Sequence, residues 1–543
     1  MRTRHNLMIA VLVMTLAAGM HVGRPSAALA APPCNAALLP LLTVPPGTTL
    51  TSAVQVAATP TVPAFCRVRG TISPEPGSLT NFLVNLPQAW NGRFVMLGDG
   101  GHDGTVSTST QRIPEGYATA NSDSGHTAVP GPLQAAFAYN NRIAEIDYGY
   151  RSVHLTTVAA KSIIQSYYGQ PIAYAYFDGC STGGRQALME AQRFPDDFDG
   201  IAGGDPAYFL TGLAMEQNWS MQQLFKDNFA NNIAGKDGLI YDAVLQTCDA
   251  LDGLADGLID DPRRCTFDPA SLTCQAGQDP ATCLTPGQVG AVQRIYDGPS
   301  NSSGLIYQGK PRSSEWSWAS LIIPRPGPPP AGNNNFPAQG GFVFDFMNYL
   351  FFEHDPGPSF NWLDFDFETD AAQGAFMAQI LDATNPDLSA FRGRGGKFIL
   401  YHGWADGLIP PFGTVSYYEQ VVDRVGSLKE TQEFIRLFMV PGMGHCTGGP
   451  GPNVWDKLPA LVDWVEHGVA PASIVASHST GSVIDRTRPL CPYPQVARYQ
   501  GTGSIDDAAS FACELKGLDR ADQASGFEHG LQGRNNARTH QSR

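Results

Sequence analysis

Four short apolar runs, each leading into a glycine-containing turn or a helical stretch, set the pattern of this chain. Phe94-Val95-Met96-Leu97 precedes Gly98-Asp99-Gly100-Gly101, and Tyr174-Ala175-Tyr176-Phe177 precedes a turn and a helical stretch from Arg185 to Arg193. Lys397-Phe398-Ile399-Leu400-Tyr401 and Phe434 to Val440 come much later. Unbroken apolar runs of this length suit strands buried on both faces. Their alternation with helical segments predicts an α/β class with a parallel sheet and crossover helices. Between 208 and 386 the pattern breaks down into an acidic glycine run at 249–260, a proline run at 324–330 and an aromatic stretch from Phe336 to Phe367. Strand-like pattern resumes afterwards, so 208–386 is expected to be an insertion between a first core part (31–207) and a second (387–543).

The first thirty residues have a different logic. Arg2 and Arg4 precede the apolar run Leu7 to Ala18, and Ala28-Leu29-Ala30 offers a small-residue cleavage site, the pattern of a secretory signal peptide over 1–30. The run is shorter than the roughly 20 residues of a membrane span, so no membrane association is expected once it is removed. The expected location is secreted or periplasmic. Ten cysteines in an oxidising compartment read as disulfides. Roughly a thousand pairings exist for ten cysteines; nearest-neighbour closure gives Cys34–Cys66, Cys248–Cys265, Cys274–Cys283 and Cys491–Cys513, leaving Cys180 and Cys446. A formal net charge of −15 over 543 residues, from 50 acidic and 35 basic side chains, argues against a nucleic-acid partner, which needs clustered Lys and Arg.

The strand ends carry the chemistry. Gly179-Cys180-Ser181-Thr182-Gly183 fits Gly-x-Ser-x-Gly between a strand and a helix, the setting of a nucleophile elbow. On that fold the order is Ser, then acid, then His. Asp406 follows the strand ending at Tyr401, and His445 follows the strand ending at Val440. Asp205, after its own strand-like run, is the rival acid; His402 reads as a buried residue orienting its turn, and His102 and His126 precede the serine, which is the wrong order. The expected roles are Ser181 as nucleophile, His445 as base and Asp406 as its orienting carboxylate. The Thr182 N–H and a glycine N–H at 100 or 101, with Gly101 preferred, would form the oxyanion hole. If Ser181 and His445 meet, Cys180 and Cys446 come close enough to bridge.

Gly-Cys-Ser-Thr-Gly-Gly-Arg-Gln at 179–186, Tyr-His-Gly-Trp-Ala-Asp at 401–406 and Pro-Gly-Met-Gly-His-Cys at 441–446 resemble the signatures of the tannase/feruloyl esterase family. The similarity runs from about Cys66 to Cys513. It implies an α/β-hydrolase core with 208–386 as a large lid, and a secreted serine hydrolase for esters of aromatic acids, hydroxycinnamic or phenolic, acting through an acyl-enzyme. Small-molecule or plant cell-wall esters are the implied substrates, with galloyl esters or a terephthalate monoester as alternatives. In the branch that hydrolyses mono(2-hydroxyethyl) terephthalate, a lid arginine holds the free carboxylate. The matching stretch here, Gln339-Gly340-Gly341, has none, and Thr182 stands where that branch has an acidic residue. A non-catalytic binder of phenolic or polysaccharide ligands on the same scaffold is the other class, disfavoured by a complete Ser, Asp and His set.

Two further sets remain. Asp249, Asp252 and Asp256 alternate with Gly253 and Gly257 between Cys248 and Cys265. By pattern they suit either a solvated acidic turn or a hard cation such as Ca²⁺, though not an EF-hand, because Leu251 and Gly253 replace oxygen donors. The resemblance implies a structural Ca²⁺ held by Asp249, Asp252 and Asp256 with carbonyls of Leu254 and Leu258. Phe342 to Phe352 reads either as pocket lining or as core of the insertion; Phe344 is the expected ring-stacking residue and Trp404 a second pocket candidate.

Overall fold

The computed structural model describes residues 32–127, 133–226, 229–324 and 338–515. The expected signal peptide, Phe336 and residues 325–330 of the proline run lie outside them. One nine-stranded sheet organises the core. Its strands are β1 (Thr48–Val56), β2 (Phe65–Ile72), β3 (Thr80–Pro87), β4 (Arg93–Leu97), β5 (Ala118–Ser122), β6 (Tyr174–Cys180), β7 (Gly200–Gly204), β8 (Lys397–Gly403) and β9 (Ile435–Val440). They lie in the order β1-β2-β3-β5-β4-β6-β7-β8-β9. The first three pair antiparallel, β3 meets β5 antiparallel, and every later neighbour is parallel.

The parallel half confirms the α/β expectation, and its burial explains why its strands read as apolar runs. β7 is buried along its whole length, and β8 is buried at every position but its first. Helices α1 (Ser152–Tyr168), α2 (Thr182–Arg193), α7 (Phe412–Val425) and α8 (Leu458–His467) pack around the sheet. In such a sheet the ligand crevice lies beyond the carboxyl ends of the strands. Those ends carry Cys180, Gly204, Gly403 and Val440, each immediately or shortly before a predicted site residue.

Between β7 and β8 the inserted stretch builds its own apolar core. It includes helices α3 (Leu210–Phe225), α4 (Asp237–Cys248), α5 (Pro286–Asp297) and α6 (Ala338–Tyr349). Leu224, Ile240, Val292, Trp318, Met347 and Phe351 are among the side chains buried there. The start of α5 shows how locally its sequence is determined. Thr285 and Gln288 form a reciprocal capping box, with Pro286 at the first helical position.

All five disulfides of the expected pattern are formed, and no cysteine is free. Four close loops of 9 to 32 residues, while Cys180–Cys446 spans 266. After β9 the chain adds two hairpins, Ile474–Thr480 with Val483–Leu490 and Gln495–Tyr499 with Phe511–Leu515. Among the described residues, no helix is long and apolar enough to cross a membrane.

The packing of α2 on β7 leaves no room at Gly184, where an added Cβ would stand 2.1 Å from the Gly204 carbonyl oxygen. Gly184→Ala is therefore expected to destabilise the protein by about 1–3 kcal/mol. At exposed Gly238, near the start of α4, a Cβ would meet nothing within 4 Å. Gly238→Ala should leave stability unchanged or raise it by up to about 1 kcal/mol. Thermal melting of the two variants beside the parent checks the contrast.

Candidate active site

Ser181 sits where β6 ends and α2 begins, with φ 66° and ψ −119°. A non-glycine residue held at positive φ is strained, and such strain persists only where the surroundings impose it. Here the Ser181 N–H donates to the Gly204 carbonyl at 2.9 Å and its own carbonyl accepts from Arg185 N–H at 3.0 Å. The preceding glycine of the motif is required by space: a Cβ on Gly179 would lie 2.7 Å from the Gly183 carbonyl oxygen. The turn therefore presents the serine at the carboxyl edge of the sheet, beside a helix N-terminus.

The acid and the imidazole meet where the loops after β8 and β9 converge. Asp406 Oδ2 lies 2.7 Å from His445 Nδ1, while Oδ1 accepts N–H groups from Leu408 at 2.7 Å and Ile409 at 3.0 Å. Asp406 is fully buried. Burial opposes its ionisation, but the charges and hydrogen bonds of His445 and His402 outweigh that and hold it far below the usual carboxylate range. His445 moves the other way: burial lowers it, and the Asp406 carboxylate more than compensates, leaving it raised above 6.5.

The rival acid has a different position. Asp205 Oδ1 accepts the Gly403 N–H at 3.1 Å and lies 3.6 Å from His402 Nε2. Burial pushes it up to about 6 against the opposing pull of His402. Asp205, Asp406 and His445 nonetheless form one cluster with ligand-type atoms within 4.8 Å of one another, so Asp205 backs the pair. His402 is fully buried, as expected, and its Nε2–H donates to the Ile409 carbonyl at 2.9 Å. The Cys180–Cys446 bridge joins the residue before Ser181 to the residue after His445, with Cα atoms 6.0 Å apart.

The glycine loop after β4 is latched onto α2. Thr182 Oγ1 donates to the Gly101 carbonyl at 2.6 Å, and Gly183 N–H to the Asp99 carbonyl at 2.8 Å. Gln186, one turn along α2, grips Asp99 twice: its Oε1 accepts the Asp99 N–H at 3.0 Å, and its Nε2 donates to Oδ2 at 3.0 Å. Gly101 takes φ 63°, within a turn closed by Asp103 N–H on the Gly100 carbonyl at 3.0 Å. Thr182 and Gly101, the expected oxyanion residues, thus lie side by side. The Gln186 latch is a role that residue type alone does not reveal, although the residue falls inside the 179–186 motif.

A cavity opens beside Ser181, Thr182 and Gly101, with about 420 Å³ of space that includes its opening to solvent. Its other walls are Leu210, Leu213, Ala214 and Gln217 of α3, Phe342 and Phe346 of α6, Leu408 and Ile409, and the core residues His102, Tyr148 and Ala207. Among the described residues, no Asp, Glu, Lys or Arg lines it, and burial holds His102 down at about 4, so its imidazole is neutral. Phe344 is not among the lining residues. Side chains four apart share a helix face, so α6 turns Phe342 and Phe346 to the cavity and Phe344 away, where it packs against the core of the insertion. Trp404 also lies outside the cavity. It is buried in the sheet core against Phe412, with the Arg263 guanidinium 5.1 Å from its ring centroid.

The acidic loop is held from two directions. Asp249 accepts backbone N–H groups of Asp256 and Gly257, Asp252 Oδ1 accepts Leu254 N–H, and Asp256 Oδ1 accepts Leu258 N–H. Three arginines of the C-terminal hairpins dock on it: Arg488 on Asp256 Oδ2 at 2.6 Å, Arg486 on the Asp256 carbonyl and Arg498 on the Asp252 carbonyl. Nearby Asp260 has a buried Oδ1 with no hydrogen-bond partner among the described residues. That orphaned oxygen and the all-oxygen donor set fit a hard cation, although several of the aspartate oxygens are already engaged by N–H groups and Arg488.

Comparison with known proteins shows the family. Residues 66–514 match the family model described as tannase and feruloyl esterase. An esterase of Xanthomonas campestris is 37% identical, covering 93% of this chain and 94% of that relative. A mono(2-hydroxyethyl) terephthalate hydrolase of Piscinibacter sakaiensis is also 37% identical, covering 85% of this chain and 87% of its own. The crystal structure of feruloyl esterase B from Aspergillus oryzae superposes with a TM-score of 0.78 at 28% identity, covering 87% of this chain and 98% of that one. With an α/β-hydrolase core and esterases for relatives, the chain belongs to the tannase and feruloyl esterase family of carboxylic ester hydrolases.

Proposed function

We propose that this esterase is exported and cleaves esters of uncharged aromatic acids, hydroxycinnamic or phenolic, through an acyl-enzyme on Ser181. The observation that carries the reading is the 2.7 Å contact of Asp406 with His445 Nδ1, on a loop bridged to the Ser181 elbow by Cys180–Cys446. Held by Asp406, His445 keeps its Nε2 as the base that takes the Ser181 proton during attack on the ester carbonyl. The Thr182 and Gly101 N–H groups receive the charge that develops on the carbonyl oxygen. The protonated imidazole then gives its proton to the leaving alcohol, and water repeats the sequence to free the acid. Export through the 1–30 leader accords with five disulfides, which persist in oxidising compartments.

The cavity supports the choice of acyl group. Phe342, Phe346 and the leucines offer an apolar slot for a ring, and His102, Gln217 and Tyr148 offer uncharged polar edges. A free carboxylate would be buried there without a cation, at a cost of several kcal/mol. Gln339, in the stretch that the resemblance matches to the arginine region of the terephthalate branch, spends its Nε2 on the Gln217 carbonyl at 3.0 Å. Methyl ferulate is therefore expected to be hydrolysed with a kcat/KM at least about tenfold above that of a terephthalate monoester. Ser181→Ala should abolish both reactions. A preference for the terephthalate ester would reverse the assignment of the acyl group, and turnover by Ser181→Ala would remove the nucleophile.

The raised His445 fixes the sign of the pH dependence. The base must be neutral, so activity should be lost as pH falls through the raised titration of His445 and recovered above it. A profile of kcat/KM against pH with a neutral ester checks this, and full activity at pH 5 would contradict it.

In the acidic loop we propose a structural Ca²⁺ held by Asp249, Asp252 and Asp256 with the Leu254 and Leu258 carbonyls. Its charge would offset the mutual repulsion of these carboxylates and hold the turns of the loop together. Excess EGTA should lower the melting temperature by several degrees and added Ca²⁺ should restore it. An unchanged melting curve would retire the metal.

A further inference from the structure

Among the described residues, the insertion carries one ion pair with neither side chain exposed, and it reaches the triad. Glu216 lies on α3, the same helix that turns Leu210, Leu213, Ala214 and Gln217 to the cavity. Lys310 lies in the loop after α5. Neither side chain has any exposed surface, and Lys310 Nζ is 2.8 Å from Glu216 Oε2. Ser220 Oγ donates to the other carboxylate oxygen at 2.7 Å. The remaining contact of the ammonium leaves the insertion: Nζ lies 3.4 Å from the Leu408 carbonyl, which also accepts Gln217 Nε2 at 3.3 Å. Leu408 belongs to the turn whose N–H groups, at 408 and 409, bind Asp406 Oδ1. A continuous chain of contacts therefore runs from Glu216 through Lys310 and the Leu408 peptide groups to Asp406 and His445.

Stability alone is a poor reason for such a pair. Each ion loses its hydration on burial, and buried pairs can often be replaced by apolar side chains at no cost in stability. What apolar side chains cannot supply is a fixed donor to the Leu408 carbonyl. We propose that Lys310 and Glu216 are positioning residues for the acid of the triad: Glu216 anchors the ammonium, and the ammonium holds the 406–409 turn so that its N–H groups keep Asp406 aimed at His445. The inserted segment, on this view, helps to build the catalytic centre as well as to wall the cavity. The proposal rests on the triad reading above.

The charge of Lys310 gives the device a signature that a merely structural pair would lack. Asp406 faces His445 from the loop after β8, Asp205 from the end of β7 and Lys310 from the insertion; His402 of β8 contacts both aspartates. The aspartates favour the protonated imidazole, and Lys310 opposes it. Removing the lysine should thus make His445 easier to protonate and move the acid limb of the pH profile upward.

The test uses the full chain and the double variant Lys310→Met/Glu216→Gln, which removes both charges. Lys310→Met alone strands a buried carboxylate and is expected to melt lower, so the double variant keeps the fold. The readouts are thermal melting, burst titration of active sites, and kcat and KM against pH for a 4-nitrophenyl ester. The expected result is a folded enzyme whose kcat per active site falls about ten- to hundredfold. KM should change less than kcat, because Leu408 and Ile409 of the held turn are only two of the residues that line the cavity. The acid limb should move to higher pH, by less than loss of Lys310 alone would give, because losing the Glu216 charge offsets part of the shift. An unchanged kcat per active site, or a fall in kcat with the acid limb unmoved, would overturn the proposal. Turnover by Ser181→Ala would instead remove the triad reading on which it rests.

Discussion

The strained turn at Ser181 is the constraint around which the other parts are arranged. A serine at φ 66° is unfavourable by itself and must be held by what surrounds it. The restraints come from several directions: the Gly204 carbonyl beneath, glycines at 179 and 184 that let backbone approach backbone, and the Asp99–Gln186 latch across the first turn of α2. The fixed elbow sets where the loop after β4 must lie, because Thr182 and Gly183 hold that loop by its carbonyls. Through Cys180–Cys446 it also limits where the His445 loop can go. The sheet supplies the platform, and these short-range restraints make it a site.

The insertion is joined to this platform on two sides. Near the strand ends its helices wall the cavity and, through Lys310, touch the Asp406 turn. Farther along, its acidic loop is gripped by Arg486, Arg488 and Arg498 of the C-terminal hairpins. A segment packed only over the cavity could tilt as a flap. One docked at both places is an integral wall, and its own apolar core keeps the two contacts in register.

Strands β4, β6, β8 and β9 are legible in the sequence because burial on both faces writes them as unbroken apolar runs, within a few residues of the observed ends. The antiparallel edge is less so, since β1 is mostly exposed or partly buried and therefore carries no unbroken apolar run. The motif glycines and the placement of Ser181, Asp406 and His445 are legible because they follow strands in the positions that elbow and post-strand loops occupy. Gln186, Asp205 and Lys310 are less so. A polar side chain on a helix or loop looks the same in sequence whether it faces water or a buried partner. Phe344 departs from its expected place for a related reason: aromatic density marks the segment, but helix phase decides which rings reach the cavity.

The long disulfide has one more consequence. Cys180–Cys446 closes a ring of chain that contains the whole insertion together with β7, β8 and β9. A single backbone cut anywhere in that ring leaves one covalent molecule, with Ser181 and His445 still tethered through their neighbouring cysteines. For an enzyme exported, as proposed, into surroundings that contain proteases, the exposed loops of the insertion can be nicked without separating the two halves of the site.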